Sequence, residues 1–254
     1  MSAARTSPLA ALHAPHDPVW EVIQGMAVPL RFGRERGSLA TVALADASCL
    51  TRIGWKGAGA ADWLAAQGLP VPSQPNTWLP APEGGIVARL GRTEFFAEND
   101  PGGGLVEQLQ ARLLEPAPGV YAVPRQDTAL LLAGARAPEV LARTCPLDLR
   151  PERGEAPGTA ARPGNAGILP AGVQGTVPGN AGILPAGVPG MLFLTLLAGI
   201  SVLLIPQEGA GGRLYRIWCD ASYGEYLWET LSGIAHELGG GPVGVETMGW
   251  RCEK

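Results

Sequence analysis

A chain of 254 residues that is 46% hydrophobic has the apolar content to bury the core of one large domain or two small ones, which argues against a solvated, disordered polymer. Its 19 basic residues stand against 23 acidic ones, for a net charge of −4, and the basic residues are scattered, so nucleic acid and anionic membrane are poor partners. Four cysteines, Cys49, Cys145, Cys219 and Cys252, lie far apart without a CxxC spacing, and the opening "MSAARTSPLAALHAPHDP" lacks the pattern of an export signal. Free thiols in a reducing, cytoplasmic setting are expected.

In chain order, "LTRIGWKGAGAADWLAAQG" reads as a strand, a turn at Gly57 and Gly59, and an alanine-rich helix over 60–67. "GGIVARLGRTEFFAEND" reads as a hairpin, with strand-like runs 86–90 and 93–98 joined by Gly91-Arg92. "GGGLVEQLQARLLE" places Leu105, Leu109, Leu113 and Leu114 on one helical face and stops before Pro116. "GVYAVPRQDTALLLAG" is expected to be a strand pair interrupted at Pro124, and "APEVLARTC" a short helix closing near Cys145.

"MLFLTLLAGISVLLIPQ" holds the longest apolar run, but it is broken by Gly199 and ended by Pro206, short of the about 20 residues a membrane helix needs. Ile200, Val202 and Ile205 favour a strand pair buried on both faces. "RLYRIWCDAS" alternates like a strand, and "YGEYLWETLSGIAHELGG" is an amphipathic helix from about Gly224, stopped by Gly239-Gly240. Strands and helices mix in α+β fashion.

Between these parts lies a tandem repeat. Pro163 to Val177 and Pro178 to Leu192 agree at 12 of 15 positions. Two copies are too few for a solenoid, and their prolines and glycines forbid a continuous helix or central strand. From 151 to 190, 17 of 40 residues are Gly or Pro and none is aromatic, which is the composition of a disordered Gly/Pro-rich insertion, either a surface loop or a recognition arm.

The segments "SPLAALHAPHDPVWEVIQGMAVPLRFG" and "LADASCLTRIGWKGAGAADWLAAQGL" resemble the opening of the aminomethyltransferase, or glycine-cleavage T-protein, superfamily. "PEGGIVARLGRTEFFAEN", "VPRQDTALLLAGARAPEVLARTCPLDLRP", "LAGISVLLI" and "YRIWCDASYGEYLWETL" are most similar to its smaller gamma-subunit branch, represented in heterotetrameric sarcosine oxidases. The resemblance implies an α+β fold with two ferredoxin-like βαβ-type halves. It divides the chain into an N-terminal half over 1–150, the insertion over 151–190, and a C-terminal part over 191–254 that completes the second half. The repeat then interrupts a folded unit. Because loop closure costs grow only logarithmically, about thirty added residues should cost no more than about a few kcal/mol.

The same resemblance implies a non-catalytic gamma-type subunit of a complex that oxidises an N-methyl amine such as sarcosine and is linked to folate one-carbon metabolism. It implies no cofactor on this chain, with FAD or FMN and tetrahydrofolate in larger flavin-containing subunits. Catalytic T-proteins carry an acidic residue in the strand after the Gly-Gly step, where this chain has Ile86-Val87-Ala88-Arg89; their Thr-Gly-Glu type segment is replaced by "CDASYGEYLW". The alternative is a stand-alone folate-binding or aminomethyltransferase-like protein.

No catalytic residue and no metal site is expected. His13 and His16 lack further ligands for zinc, and His236 suits the C-terminal dipole of the last helix. Gly102-Gly103-Gly104 lacks a phosphate-binding pattern and reads as a turn. The candidate ligand or interface residues are Asn99, Arg125, Asp127, Trp218, Tyr223 and Tyr226. Asn99 falls near a turn of the enzyme pattern or caps the following helix. Arg125 and Asp127 face a ligand or are solvated turn charges. The aromatic cluster, with Trp228, divides between interface and core.

Overall fold

The computed structural model describes residues 5–149 and 189–250, apart from 36, 83, 114–116, 210 and 211. Nearly all of the predicted insertion, as well as Leu114, Pro116 and Cys252, lies outside the described residues.

The opening stretch, for which the sequence reading predicts no element, forms β1 (Arg5–Thr6), the short helix α1 (Ala10–His13), a 3-10 turn (Ala14–His16), β2 (Pro18–Ile23) and β3 (Met26–Phe32). These strands make a small sheet in the order β1-β3-β2. Its tight turn is Gln24-Gly25, both at positive φ, which suits a two-residue hairpin. The chain continues through β4 (Ala43–Asp46), β5 (Arg52–Lys56), α2 (Ala60–Ala66), β6 (Thr77–Pro80), β7 (Ile86–Arg89), β8 (Glu94–Glu98), α3 (Leu105–Arg112) and β9 (Tyr121–Pro124). Then come β10 (Thr128–Ala133), α4 (Ala137–Thr144), β11 (Gly190–Met191), β12 (Phe193–Leu197), β13 (Ile200–Gly209), β14 (Gly212–Cys219), α5 (Gly224–Glu237) and β15 (Gly241–Pro242).

Two six-stranded sheets result, ordered β11-β6-β7-β8-β5-β9 and β12-β13-β14-β10-β4-β15. Within the first, β5-α2-β7-β8-α3-β9 is a ferredoxin-like βαββαβ unit, with β6 and β11 added at one edge. The second repeats the plan as β10-α4-β13-β14-α5-β15, with β12 added outside and β4 inserted beside β10. The fold is therefore α+β with two ferredoxin-like halves. Both β4 and β10 precede the insertion yet belong to the second sheet, and the last residues of the repeat, Gly190 and Met191, pair with Trp78 and Thr77 of the first.

Three apolar layers hold the two sheets and their helices. Leu64, Val106 and Leu109 of α2 and α3 cover the outer face of the first sheet, and Val140, Leu141, Leu227 and Leu231 of α4 and α5 cover that of the second. Between the sheets, Ala43, Ala45, Ala88 and Ala129 leave room for Trp78, Phe96 and Trp218, so small and large side chains interdigitate.

Two expectations are corrected. Residues 121–124 and 128–133 are both strands, but they do not pair: β9 joins β5 in the first sheet, and β10 lies between β4 and β14 in the second. Every residue of β10 is buried, so it needs a central position, whereas the mostly exposed β9 suits an edge. Residues 125–127 therefore carry the chain from one sheet to the other. The hairpin β12–β13 forms as expected, but burial on both faces holds only for Val202–Ile205; β12 is an edge strand that alternates in and out.

Candidate functional site

The polar centre of the molecule forms where β8 ends against the crossover between sheets. Gly84 and Gly85, at φ of 86° and 79°, turn the chain into β7, and a Cβ on Gly85 would lie 2.4 Å from the Glu98 carbonyl oxygen. Only glycine permits that approach with this backbone. Ile86 then pairs with Glu98, so the carboxylate missing from the strand after the Gly-Gly step is present one strand over.

Glu98 is buried among donors. Its Oε2 lies 3.0 Å from Arg52 Nε and accepts from Trp218 Nε1 at 2.5 Å, while Oε1 accepts from Arg216 Nη1 at 3.0 Å. The side chains of Arg52 and Glu98 are each 2% exposed. The Arg52 Nε contact is an ion pair without hydrogen-bond alignment, but the other guanidinium nitrogens donate to the carbonyls of Asp127 at 2.6 Å and Ala47 at 3.1 Å. Arg52 thus ties the first sheet to the crossover and to the segment after β4. Two cations around one carboxylate compensate its burial and leave neither of its oxygens for a substrate.

An open cleft of about 410 Å³ lies beside this network, with Leu90, Arg125, Asp127, Leu194, Leu203 and Trp218 among its walls. Arg125 and Asp127 form a bidentate pair, Nε–Oδ2 2.8 Å and Nη2–Oδ1 2.9 Å. The guanidinium of Arg125 also stands 5.3 Å from the Phe96 ring centroid, and Phe96 meets Trp218 edge-on at 5.3 Å. Cys219 borders the same cleft, but burial, with Asp127 and Asp220 nearby, pushes its thiol up to about 12, which keeps it protonated and a poor nucleophile.

Of the six candidate residues, the structure brings Arg125, Asp127 and Trp218 together at this cleft. Asn99 adjoins Glu98 in sequence but is fully buried, with its Oδ1 accepting from Val106 N at 2.8 Å and its Nδ2 donating to Glu107 Oε2 at 2.7 Å. It holds the start of α3. Asn99→Ala should cost about 1–3 kcal/mol in a urea titration, since the buried Val106 N–H at the start of α3 loses its acceptor. Tyr223 and Tyr226 are half exposed at the start of α5, where the Tyr226 hydroxyl donates to Ala198 O at 3.3 Å.

A second buried cluster escaped the sequence reading. Asp46 Oδ2 accepts from the Ser7 hydroxyl and lies 3.0 Å from His13 Nε2, while Oδ1 accepts from Ser48 N at 2.9 Å. Burial alone would raise the carboxyl pKa, but the hydrogen bonds and charge of His13 and the bonds from Ser48 and Ser7 hold it below its ordinary value. Ser7 donates to Asp46 and not to His13, so these residues do not have the geometry of an activated serine. They pin α1 to β4. His16 is exposed and meets the Phe32 ring at 6.2 Å, and among the described residues no group of three His, Cys, Asp or Glu could hold a metal. Asp-x-Ser at 46–48 is the sequence signal for this anchor; the partner at His13 lies 33 residues away and leaves no local pattern.

No family model matches the sequence. The chain is 36% identical over 121 residues to the sarcosine oxidase subunit gamma of an Arthrobacter species, a match covering 46% of this chain and 60% of that protein, less than two thirds of its length. Among solved structures it is similar to the glycine cleavage system aminomethyltransferase T of Bartonella henselae, with a TM-score of 0.62 at 17% identity, over 96% of this chain and 61% of that one. It is also similar to a chain of the heterotetrameric sarcosine oxidase of Corynebacterium sp. U-96, with a TM-score of 0.56 at 22% identity, over 92% of this chain and 96% of that one. The chain therefore has the aminomethyltransferase-type fold, and its sequence likeness is to the gamma subunit of sarcosine oxidase.

Proposed function

We propose that this chain is a non-catalytic, gamma-type subunit of a sarcosine oxidase-like complex, joining larger subunits that oxidise an N-methyl amine and pass its one-carbon unit to folate. The observation that carries this reading is the 36% identity to a gamma subunit, on a fold that extends over 96% of the matched heterotetramer chain. The geometry supports it. The charged groups at the centre are committed to one another: Glu98 to Arg52, Arg216 and Trp218, and Arg125 to Asp127. Groups so engaged suit a rigid scaffold better than acid–base chemistry, which needs a proton-transferring atom free to reach substrate. FAD or FMN and tetrahydrofolate then belong to the partners, and the complex is a hetero-oligomer.

The test is a native purification of the tagged chain from its source cells, followed by mass spectrometry and an absorption spectrum. Recovery of large subunits with flavin absorbance is the expected result, together with no flavin and no sarcosine turnover when the chain is produced alone. Turnover of sarcosine by the purified single chain would overturn the proposal.

A further inference from the structure

We infer that the free edge of β12 receives an extended, basic segment of a larger partner subunit as an added strand; this rests on the reading of the chain as a subunit. β12 closes the order of the second sheet, and no described residue pairs with its outer side. Its sequence, Phe193-Leu-Thr-Leu-Leu197, has no charge and no proline, and its register with β13 runs from Phe193↔Leu204 to Leu197↔Ile200 without a bulge. Those are the devices by which edges are normally protected, so this edge is open to pairing. The two-residue turn Ala198-Gly199, both at positive φ, makes Leu197↔Ile200 a hydrogen-bonded pair, and alternation then turns the N–H and C=O of Leu194 and Leu196 outward.

Side chains agree with the backbone. Leu194 and Leu196 are 62% and 46% exposed on a face that is buried against the first sheet elsewhere, and Leu194 leads into the cleft floored by Leu203 and Trp218. The net charge nearby is acidic. Arg125 borders the cleft but is held by Asp127, which leaves Asp220 there, and exposed Glu225 and Glu229 on α5 flank Tyr226, whose hydroxyl ties that helix to the β12–β13 turn. No lysine or arginine occurs from Cys219 to Trp250. A second copy, with the same acids and a net charge of −4, would meet like charge, whereas a strand alternating basic and apolar residues satisfies both the rim and the leucines.

The test uses the full chain and fluorescent peptides of about ten residues, one alternating lysine and valine and one alternating glutamate and valine. The expected result is binding of the lysine peptide only, protection of the Leu194 and Leu196 amides from hydrogen exchange, and at least about tenfold weaker binding by Leu196→Pro. Proline there removes an outward N–H and leaves the bonds to β13 intact, and Leu194→Lys provides the same readout if that variant does not fold. Equal binding by both peptides, or by wild type and variants without amide protection, would overturn the inference. So would a concentration-dependent dimer lost in Leu196→Pro, which assigns the edge to a second copy. Co-purification separates the two readings: flavin-bearing subunits retained equally by wild type and Leu196→Pro remove the edge alone, and their absence from wild type removes the subunit reading instead.

Discussion

Glu98→Gln will unfold at a markedly lower urea concentration than wild type, with a loss of about 3–5 kcal/mol. The substitution keeps the volume of the side chain and removes only its charge. Arg52, as buried as Glu98 itself, would then be a desolvated cation without a counterion, and Arg216 would lose the same partner. The amide also presents a donor face to a site where three donors already converge, so one hydrogen bond is replaced by a clash of like dipoles. Arg216→Ala should cost less, because that side chain is 13% exposed and Arg52 remains to neutralise the carboxylate. A loss below about 1 kcal/mol for Glu98→Gln would show that the network does not hold the sheets together. Since Arg52 also binds the crossover at Asp127, the variant should loosen the cleft, seen as faster hydrogen exchange over residues 125–128.

Asp46→Asn is the second large effect, about 3 kcal/mol at neutral pH. Three donors, the Ser7 hydroxyl, the Ser48 amide and His13, converge on its carboxylate, and an amide offers one oxygen where two are used. The pH dependence has a definite sign. The folded-state pKa of Asp46 lies below the ordinary 3.8, so its stabilisation is complete above that value and is lost as pH falls below it through the folded pKa. Denaturation midpoints of wild type and Asp46→Asn should therefore differ by a constant amount from neutral pH down to about pH 4 and converge in stronger acid. A gap that closes well above pH 4 would mean another group carries the effect.

Much of the fold was legible because it is local. The helices over 60–66, 105–112, 137–144 and 224–237 follow from apolar spacing and from Gly and Pro punctuation, and the hairpins over 86–98 and 193–209 follow from alternating runs about short turns. Less local features were not. The sheet formed by β1, β2 and β3 was unread because Pro29 and a register shift between Val19 and Trp20 obscure its alternation. The separation of β9 from β10 was hidden because a three-residue link looks the same whether it joins paired strands or crosses between sheets.

The candidate site divides the same way. Arg125, Asp127 and Trp218 were singled out by residue type and position, and the structure puts them at one cleft; Asn99 was singled out for a turn or a cap, and its Oδ1 accepts from Val106 N in the first turn of α3. Glu98 and Asp46 were missed as centres of buried networks. Their partners, Arg216 and Trp218 in one case and Ser7 and His13 in the other, lie far along the chain, and a carboxylate's worth depends on which cations surround it.

By itself the sequence determined the α+β element plan, the likeness to an aminomethyltransferase-type family, the net charge of −4, and the repeat, because each rests on residue type and short spacing. Only the tertiary structure decided which strands are central, that β12 is left as an edge, and that the charged groups between the sheets pair with one another. Those outcomes depend on burial and long-range contact, which are properties of the packed chain and not of any segment in it.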